Sequence, residues 1–235
     1  MPERTSATEN LSRVARTIGD RYRKELEASK KNHRDLSRDD FLWHYLLQSF
    51  ATMGGANGSK GLIENPNNYS KVAYEVLRSL ASSKRIARIE QVLRTAQVRW
   101  PSRKAVFIST CLDHIEALGG LLAAKKALLG LVGRDEKIAF LDAFPGIGPK
   151  YARNIMMDVY HKDFRESIAL DSRIKAISKV LGLRFATYGA EEQFFLKAAH
   201  NANLEGWELD RLIWGHLDEF LESLSSKATA QRIGG

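Results

Sequence analysis

Apolar residues recur three and four positions apart along nearly the whole chain, while alternating apolar and polar runs bounded by turn signals are scarce. A helix brings a side chain back to one face about every 3.6 residues and a strand every second residue, so this patterning predicts an all-α protein. A charged amphipathic helix is expected over residues 11–29. The stretch "FLWHYLLQSFATM" carries Phe41, Tyr45, Leu46 and Phe50 on overlapping faces, as a buried central helix would. Ser37 is its expected N-cap and Gly54–Gly55 its stop. Further helices are expected over 70–81, 83–98, 102–112, 119–129 and 134–143, with no internal repeat. The stretch "GGANGSKG" reads as a glycine-rich loop, either a flexible connector or a loop that lets the backbone approach another molecule.

With 235 residues, the chain has room for one large domain or two small ones. Its net charge of +8 favours polyanionic partners, of which nucleic acid is the commonest. Between Lys84 and Lys104 the basic residues Lys84, Arg85, Arg88, Arg94, Arg99, Arg103 and Lys104 face a single acid, Glu90. That run reads either as a phosphate-facing strip or as a solvated helix face. A single cysteine, Cys111, excludes an internal disulfide, a four-thiolate iron–sulfur cluster and a cysteine-rich zinc site. The six histidines show no ligand-like spacing. The N-terminus lacks the apolar stretch of a signal peptide, and no run approaches the ~20 apolar residues of a membrane span. The expectation is a soluble cytoplasmic or nucleoid-associated monomer with no membrane partner.

The most specific stretch is "FPGIGPKYARNIMMD", Phe144 to Asp158. Pro145 pushes Phe144 out of the α region and ends one helix. Gly146 and Gly148 permit a tight turn, and Pro149 restarts a helix where a missing N–H costs nothing. Ala152, Ile155, Met156, Val159 and Tyr160 then form one apolar stripe. In such a helix, hairpin, helix unit the amides of Gly146, Ile147 and Gly148 are candidates to bind a phosphate oxygen. The plain alternative is a helix-to-helix turn capped by glycine.

"FPGIGPKYA" resembles the helix-hairpin-helix of the HhH-GPD DNA glycosylases, the superfamily of endonuclease III and 8-oxoguanine glycosylase, whose motif reads approximately L-P-G-[VI]-G-x-K-x-A. "IALDSRI" is similar to the segment holding that family's aspartate, which falls on Asp171, and "FLWHYLLQSFATM" resembles its central helix. The resemblance implies an all-α, two-lobed fold. Residues 1–36 would form a helix packing with the C-terminal lobe, and residues 37–165 a helical barrel with the hairpin unit at 136–161. Residues 166–235 would form the C-terminal helical lobe, ending in a disordered tail from about 225.

The resemblance further implies a base-excision-repair enzyme acting on double-stranded DNA that contains a damaged base. Lys150 stands where family members that also nick the strand carry their amine nucleophile, and Asp171 would be its partner. The base would leave as an imine forms, and β-elimination would follow. A lysine must be neutral to attack, and the positive end of a helix dipole disfavours its ammonium. Asp171 also reads as a plain N-cap of the following helix, a role compatible with the first. Arg173 departs from the family, which often has histidine there. Missing cluster cysteines favour an oxidised purine such as 8-oxoguanine over an endonuclease III-like substrate. A monofunctional enzyme for alkylated or mispaired bases and a non-catalytic DNA-binding module are the alternatives. Phe50, Met53 and Asn57 are candidates for the wedge that fills the gap left by an extruded base, and Trp214, with Trp207, His216 and Phe220, for the base pocket. No cofactor or catalytic metal is expected, apart from a structural monovalent cation that family members often hold at hairpin carbonyls.

Overall fold

A computed structural model describes residues 2–55 and 57–233, with side chains placed except at 2–4, 32–35 and 226–233. Among the described residues the protein is all-α, with no strand. The chain divides into two compact units, Met1–His33 with Met156–Gly235, and Arg34–Ile155.

The first unit begins with α1 (Pro2–Arg21) and α2 (Arg23–Ser29). Leu11, Val14, Ala15 and Ile18 make the buried stripe of α1. The single helix expected over 11–29 is interrupted at Tyr22, whose ring stacks on His216 at 3.5 Å.

The second unit centres on α3 (Phe41–Thr52), buried on nearly every side. Its N-cap is Asp40; the expected cap, Ser37, instead ends a 3-10 stretch, Lys30–Ser37. After Gly54, at φ +90°, the expected glycine-rich loop is largely a short helix, α4 (Asn57–Leu62). The reason is packing. A Cβ on Gly58 would collide with the carbonyl of Ala51, and one on Gly61 with the backbone of Ala96, so these glycines let two stretches of backbone touch. Next come α5 (Pro66–Lys71), capped by the Asn65 side chain, and α6 (Tyr74–Arg78), where one helix over 70–81 is expected. The Trp43 indole draws the Val72 carbonyl out of helical bonding with a 2.9 Å hydrogen bond. Helices α7 (Ser82–Thr95), α8 (Pro101–Ala117), α9 (Leu121–Gly130), α10 (Gly133–Asp142) and α11 (Pro149–Met157) follow, with α7 packed on α8 and both α8 and α9 on α3.

The chain after α11 completes the first unit with α12 (Ser172–Val180), α13 (Tyr188–Asn201) and α14 (Gly206–Ile233), the last kinked at His216. α1 packs on α13 and α14, and α14 on α12. A disordered tail is expected from about 225, but the backbone is helical to Ile233. "SSKATAQRI" contains good helix formers, and the breakers come only at Gly234 and Gly235, outside the described residues. No helix among the described residues is by itself long and apolar enough to cross a membrane.

Between the 3-10 turn Lys162–Phe164 and α12 the backbone is extended, and side chains from α13 and α14 bind it. Ile168 N–H donates to Glu192 (3.2 Å), Ala169 N–H to Asp210 (2.8 Å), and Leu170 N–H to the Tyr188 hydroxyl (3.0 Å). Gly206 lies so close that a Cβ there would stand 3.1 Å from the Ser167 nitrogen. Lacking a partner strand, this segment meets its backbone demand with side chains.

Asp210 is buried, and burial pushes its carboxyl up to about 6, with Asp171 and Asp158 adding to the rise and Arg211 and the Ala169 amide opposing it. An unfolded aspartate titrates near about 3.9. Between about pH 4 and pH 6 the folded chain therefore holds the extra proton, and this group stabilises the fold as pH falls through that window. In Asp210→Asn that contribution is gone. Urea denaturation should find the variant's stability relative to wild type higher at pH 7 than at pH 4, by on the order of 2 kcal/mol. A difference that does not move with pH would contradict this reading of Asp210.

Candidate nucleic-acid interface

The turn between α10 and α11 stands on aromatic rings. Gly146 has φ +82°, and a Cβ on it would meet Phe107 at 2.8 Å and Phe50 at 3.0 Å, so both the backbone angle and the space require glycine. Phe50 and Phe107 stack with centroids 6.4 Å apart, and the Cys111 thiol, pushed up to about 12 by burial, donates to the Pro145 carbonyl at 3.5 Å. The cysteine is thus an inert support of the hairpin.

Of the three candidate amides, Ile147 is already used, donating to the Phe144 carbonyl at 3.0 Å with its side chain buried. The Gly146 and Gly148 amides have no intramolecular acceptor among the described residues. Gly148 differs from Gly146 in one respect: nothing lies within 4 Å of where its Cβ would be, and its φ is one that any residue adopts. Nothing inside the protein requires glycine there.

Lys150 follows as the second residue of α11, where the helix dipole is positive. It is half-buried, and its amine lies 4.0 Å from the centroid of the Tyr151 ring. Asp171 is the N-cap of α12. Its Oδ1 accepts from the amides of Arg173 (2.8 Å) and Ile174 (3.1 Å), while Oδ2 faces the Arg173 guanidinium at 3.3 Å. The capping role expected for this aspartate is therefore real, and the departure at Arg173 has a consequence, because it occupies the remaining carboxylate oxygen. Arg173 also lies over the Trp214 ring at 5.3 Å. Lys150 belongs to the second unit and Asp171 to the first.

The basic run is not one strip. Arg85 is buried, donating to Ser109 (2.8 Å) and Asp113 (2.6 Å), and Arg94 is paired with Glu90. Lys104 is 2% exposed; its amine donates to the Met53 carbonyl at 2.7 Å, and burial, with the charge of Arg99, pushes it down to about 8. Lys84, Arg88, Arg99 and Arg103 do not fall among the buried residues.

Among the wedge and pocket candidates, Phe50 is corrected by the structure: it is wholly buried, and its work is to carry the hairpin. Met53 is half-buried as the C-cap of α3, and Asn57 is exposed at the start of α4. Trp207 and Phe220 are core residues, the first donating to the Met157 carbonyl at 2.7 Å, whereas Trp214 is 57% exposed. Sequence reasoning missed Trp100, which is 58% exposed with a left-handed backbone, φ +54° and ψ +51°. Such a conformation costs a bulky residue roughly 1–2 kcal/mol. The signal was present in "RWPSRK", where Pro101 starts a helix and leaves the residue before it outside.

No set of three or more His, Cys, Asp or Glu side chains suited to a metal occurs among the described residues. Two hairpin carbonyls, Phe144 and Pro145, already accept internal hydrogen bonds. Each of these oxygens keeps a second lone pair, and no step below uses the monovalent cation that the resemblance implies. Compared with known proteins, the chain matches no family model, and no curated sequence or solved structure is significantly similar to it.

The contrast between the two glycines gives a test. Gly146→Ala should lower stability by about 1–3 kcal/mol in thermal or urea unfolding, through overpacking and a strained φ. Gly148→Ala should leave the unfolding midpoint within experimental error while weakening binding to duplex DNA. Unchanged DNA affinity in Gly148→Ala would remove the hairpin from the interface.

Proposed function

We propose that the protein is a base-excision DNA glycosylase with lyase activity, acting on duplex DNA with a damaged base, in the manner of the helix-hairpin-helix enzymes it resembles. The observation that supports this most is the open hairpin. Two glycine amides without internal acceptors precede the first turn of α11, and Gly148 has no reason inside the protein to be glycine. A phosphate oxygen seated there meets N–H donors and the positive end of the helix together. Lys150, on the same turn, is then beside the bound strand.

In this reading the Lys150 amine, as the free base, forms a bond to the sugar C1′ while the bond from C1′ to the base breaks, and the base leaves with a proton. Ring opening gives an imine between Nζ and C1′. The imine makes the C2′ proton acidic; its loss expels the 3′ phosphate, and water then releases the lysine. Asp171 balances the positive charge that develops on the sugar and accepts a proton as the imine forms. Capping by the Arg173 and Ile174 amides fixes its carboxylate rigidly, as electrostatic stabilisation requires. Trp214, exposed and backed by Arg173, is the pocket candidate suited to stack on an extruded base, for which an oxidised purine is the proposed class.

One observation favours a second reading, a DNA-binding module without catalysis. Both oxygens of Asp171 already have partners, so the carboxylate is accounted for structurally. Borohydride reduction during incubation with abasic duplex separates the two. A covalent protein–DNA complex is expected with wild type, and its loss in Lys150→Ala with DNA affinity changed by less than about threefold, the scale of one exposed charge contact. No complex with wild type, or an undiminished one with Lys150→Ala, would leave the non-catalytic module standing.

A further inference from the structure

Trp100 is unusual in three independent ways. It is a large apolar side chain 58% exposed, and it sits in a left-handed conformation only three residues after another such residue, Gln97 at φ +57°. Its ring is also braced. One edge lies on Gly54, where a Cβ would come within 2.5 Å of the indole, and the Lys104 amine, anchored on the Met53 carbonyl, stands 5.5 Å from the ring centroid. Strain that holds an aromatic ring in solvent is more often found at binding sites than in passive loops.

Its surroundings say what it would bind. Arg99 and Arg103 are exposed on either side in sequence, and neither has a carboxylate partner among the described residues. Arg103 and Phe107, four residues apart, share one face of α8, and Trp100 is the N-cap of that helix, three residues before Arg103. Arg103 lies over the Phe107 ring at 5.3 Å, and Phe107 is the ring on which Gly146 rests. α8 thus carries both the ring that supports the hairpin and, at its N-terminal end, the exposed indole. Seven helical residues span about 10 Å, or about three nucleotide steps at roughly 3.4 Å each along a strand.

The geometry points to Trp100 as a stacking platform for an unpaired nucleobase, with Arg99 and Arg103 taking the phosphates beside it. A flat π-face accepts any base, and free cations beside it suit a polyanion better than a protein or a lipid tail. The consequence is a preference for DNA with a locally unpaired base. It rests on the proposed reading only in taking DNA as the partner, and it needs no catalysis.

Fluorescence anisotropy with two duplexes of the same sequence, one fully paired and one carrying a single-nucleotide bulge, reads this out. Wild type should bind the bulged duplex about tenfold or more tightly, the scale of one aromatic–base stack. Trp100→Ala and Trp100→Leu should abolish that ratio while changing affinity for the paired duplex less than about threefold. Trp100→Phe should keep most of the ratio, and Arg103→Ala should weaken both duplexes alike and flatten the salt dependence. A ratio unchanged in Trp100→Ala and Trp100→Leu would overturn the assignment while leaving the glycosylase reading intact. Absence of any DNA binding by wild type would overturn both. Failed borohydride trapping with these ratios as stated would overturn only the catalytic reading.

Discussion

The contact between Gly146 and the rings of Phe107 and Phe50 is the constraint from which the candidate interface follows. Only a residue without Cβ, at positive φ, lets the turn between α10 and α11 settle onto those rings. Phe50 brings the central helix α3 into the support and Phe107 brings α8, so the hairpin is fixed by the core of its unit and not by its own short loop. A side chain is locked by packing, and an amide by the loop that carries it. Both matter at a site where a phosphate must meet preorganised donors, because donors that must first be ordered bind more weakly. The strained Trp100 belongs to the same arrangement, since α8 carries it at one end and the hairpin's supporting ring seven residues later.

The first unit meets a different problem by different means. Its extended segment before α12 cannot use sheet bonding, so Glu192, Asp210 and Tyr188 receive or surround its amides, and Asp171 emerges from it as a helix cap. Keeping a carboxylate as buried as Asp210 is destabilising at neutral pH, because its charged form is desolvated. Groups held against their preferred ionisation are commoner at functional sites than in purely structural cores. That is consistent with a segment whose position matters more than its stability. Two buried nitrogens of Arg211, Nε and Nη2, have no hydrogen-bond partner among the described residues in the same network, where the guanidinium pairs with Asp158 at 3.1 Å.

How much of this the sequence could show depended on what each signal measures. The period of apolar residues reports which face is buried, and it located α3 and α7 to α11 well, including the proline restart at Pro149. It does not say whether a buried residue serves a site, which is why Phe50 could stand among the wedge candidates although it lies wholly inside. Glycine was legible only as a missing side chain. In "GGANGSKG" that absence serves backbone packing against Ala51 and Ala96, and at Gly146 it serves a ring, and only the neighbours in space distinguish the two. Counting charges between Lys84 and Lys104 could not separate Arg85 and Lys104, which turn inward, from Arg99 and Arg103, which do not. Asp171 as a cap was readable because capping is local, set by a residue and the amides two and three positions on. Trp100 was readable from Pro101 as a residue left outside a helix, but not as a braced, exposed ring, because that depends on how the indole rests on Gly54 and beside the Lys104 amine.

The central claim is that the Gly146 and Gly148 amides receive a DNA phosphate. It is tested most directly by amide chemical shifts of the 15N-labelled protein during titration with duplex DNA containing an abasic-site analogue. Hydrogen bonding to a phosphate oxygen should move the Gly146 and Gly148 amide protons downfield in proportion to the bound fraction, while Ile147, already bonded to Phe144, moves less. Gly182, just past α12, whose amide already donates to the Lys179 carbonyl, serves as the internal control. Saturating DNA that leaves the two hairpin glycines unshifted, while resonances elsewhere respond, would contradict the account.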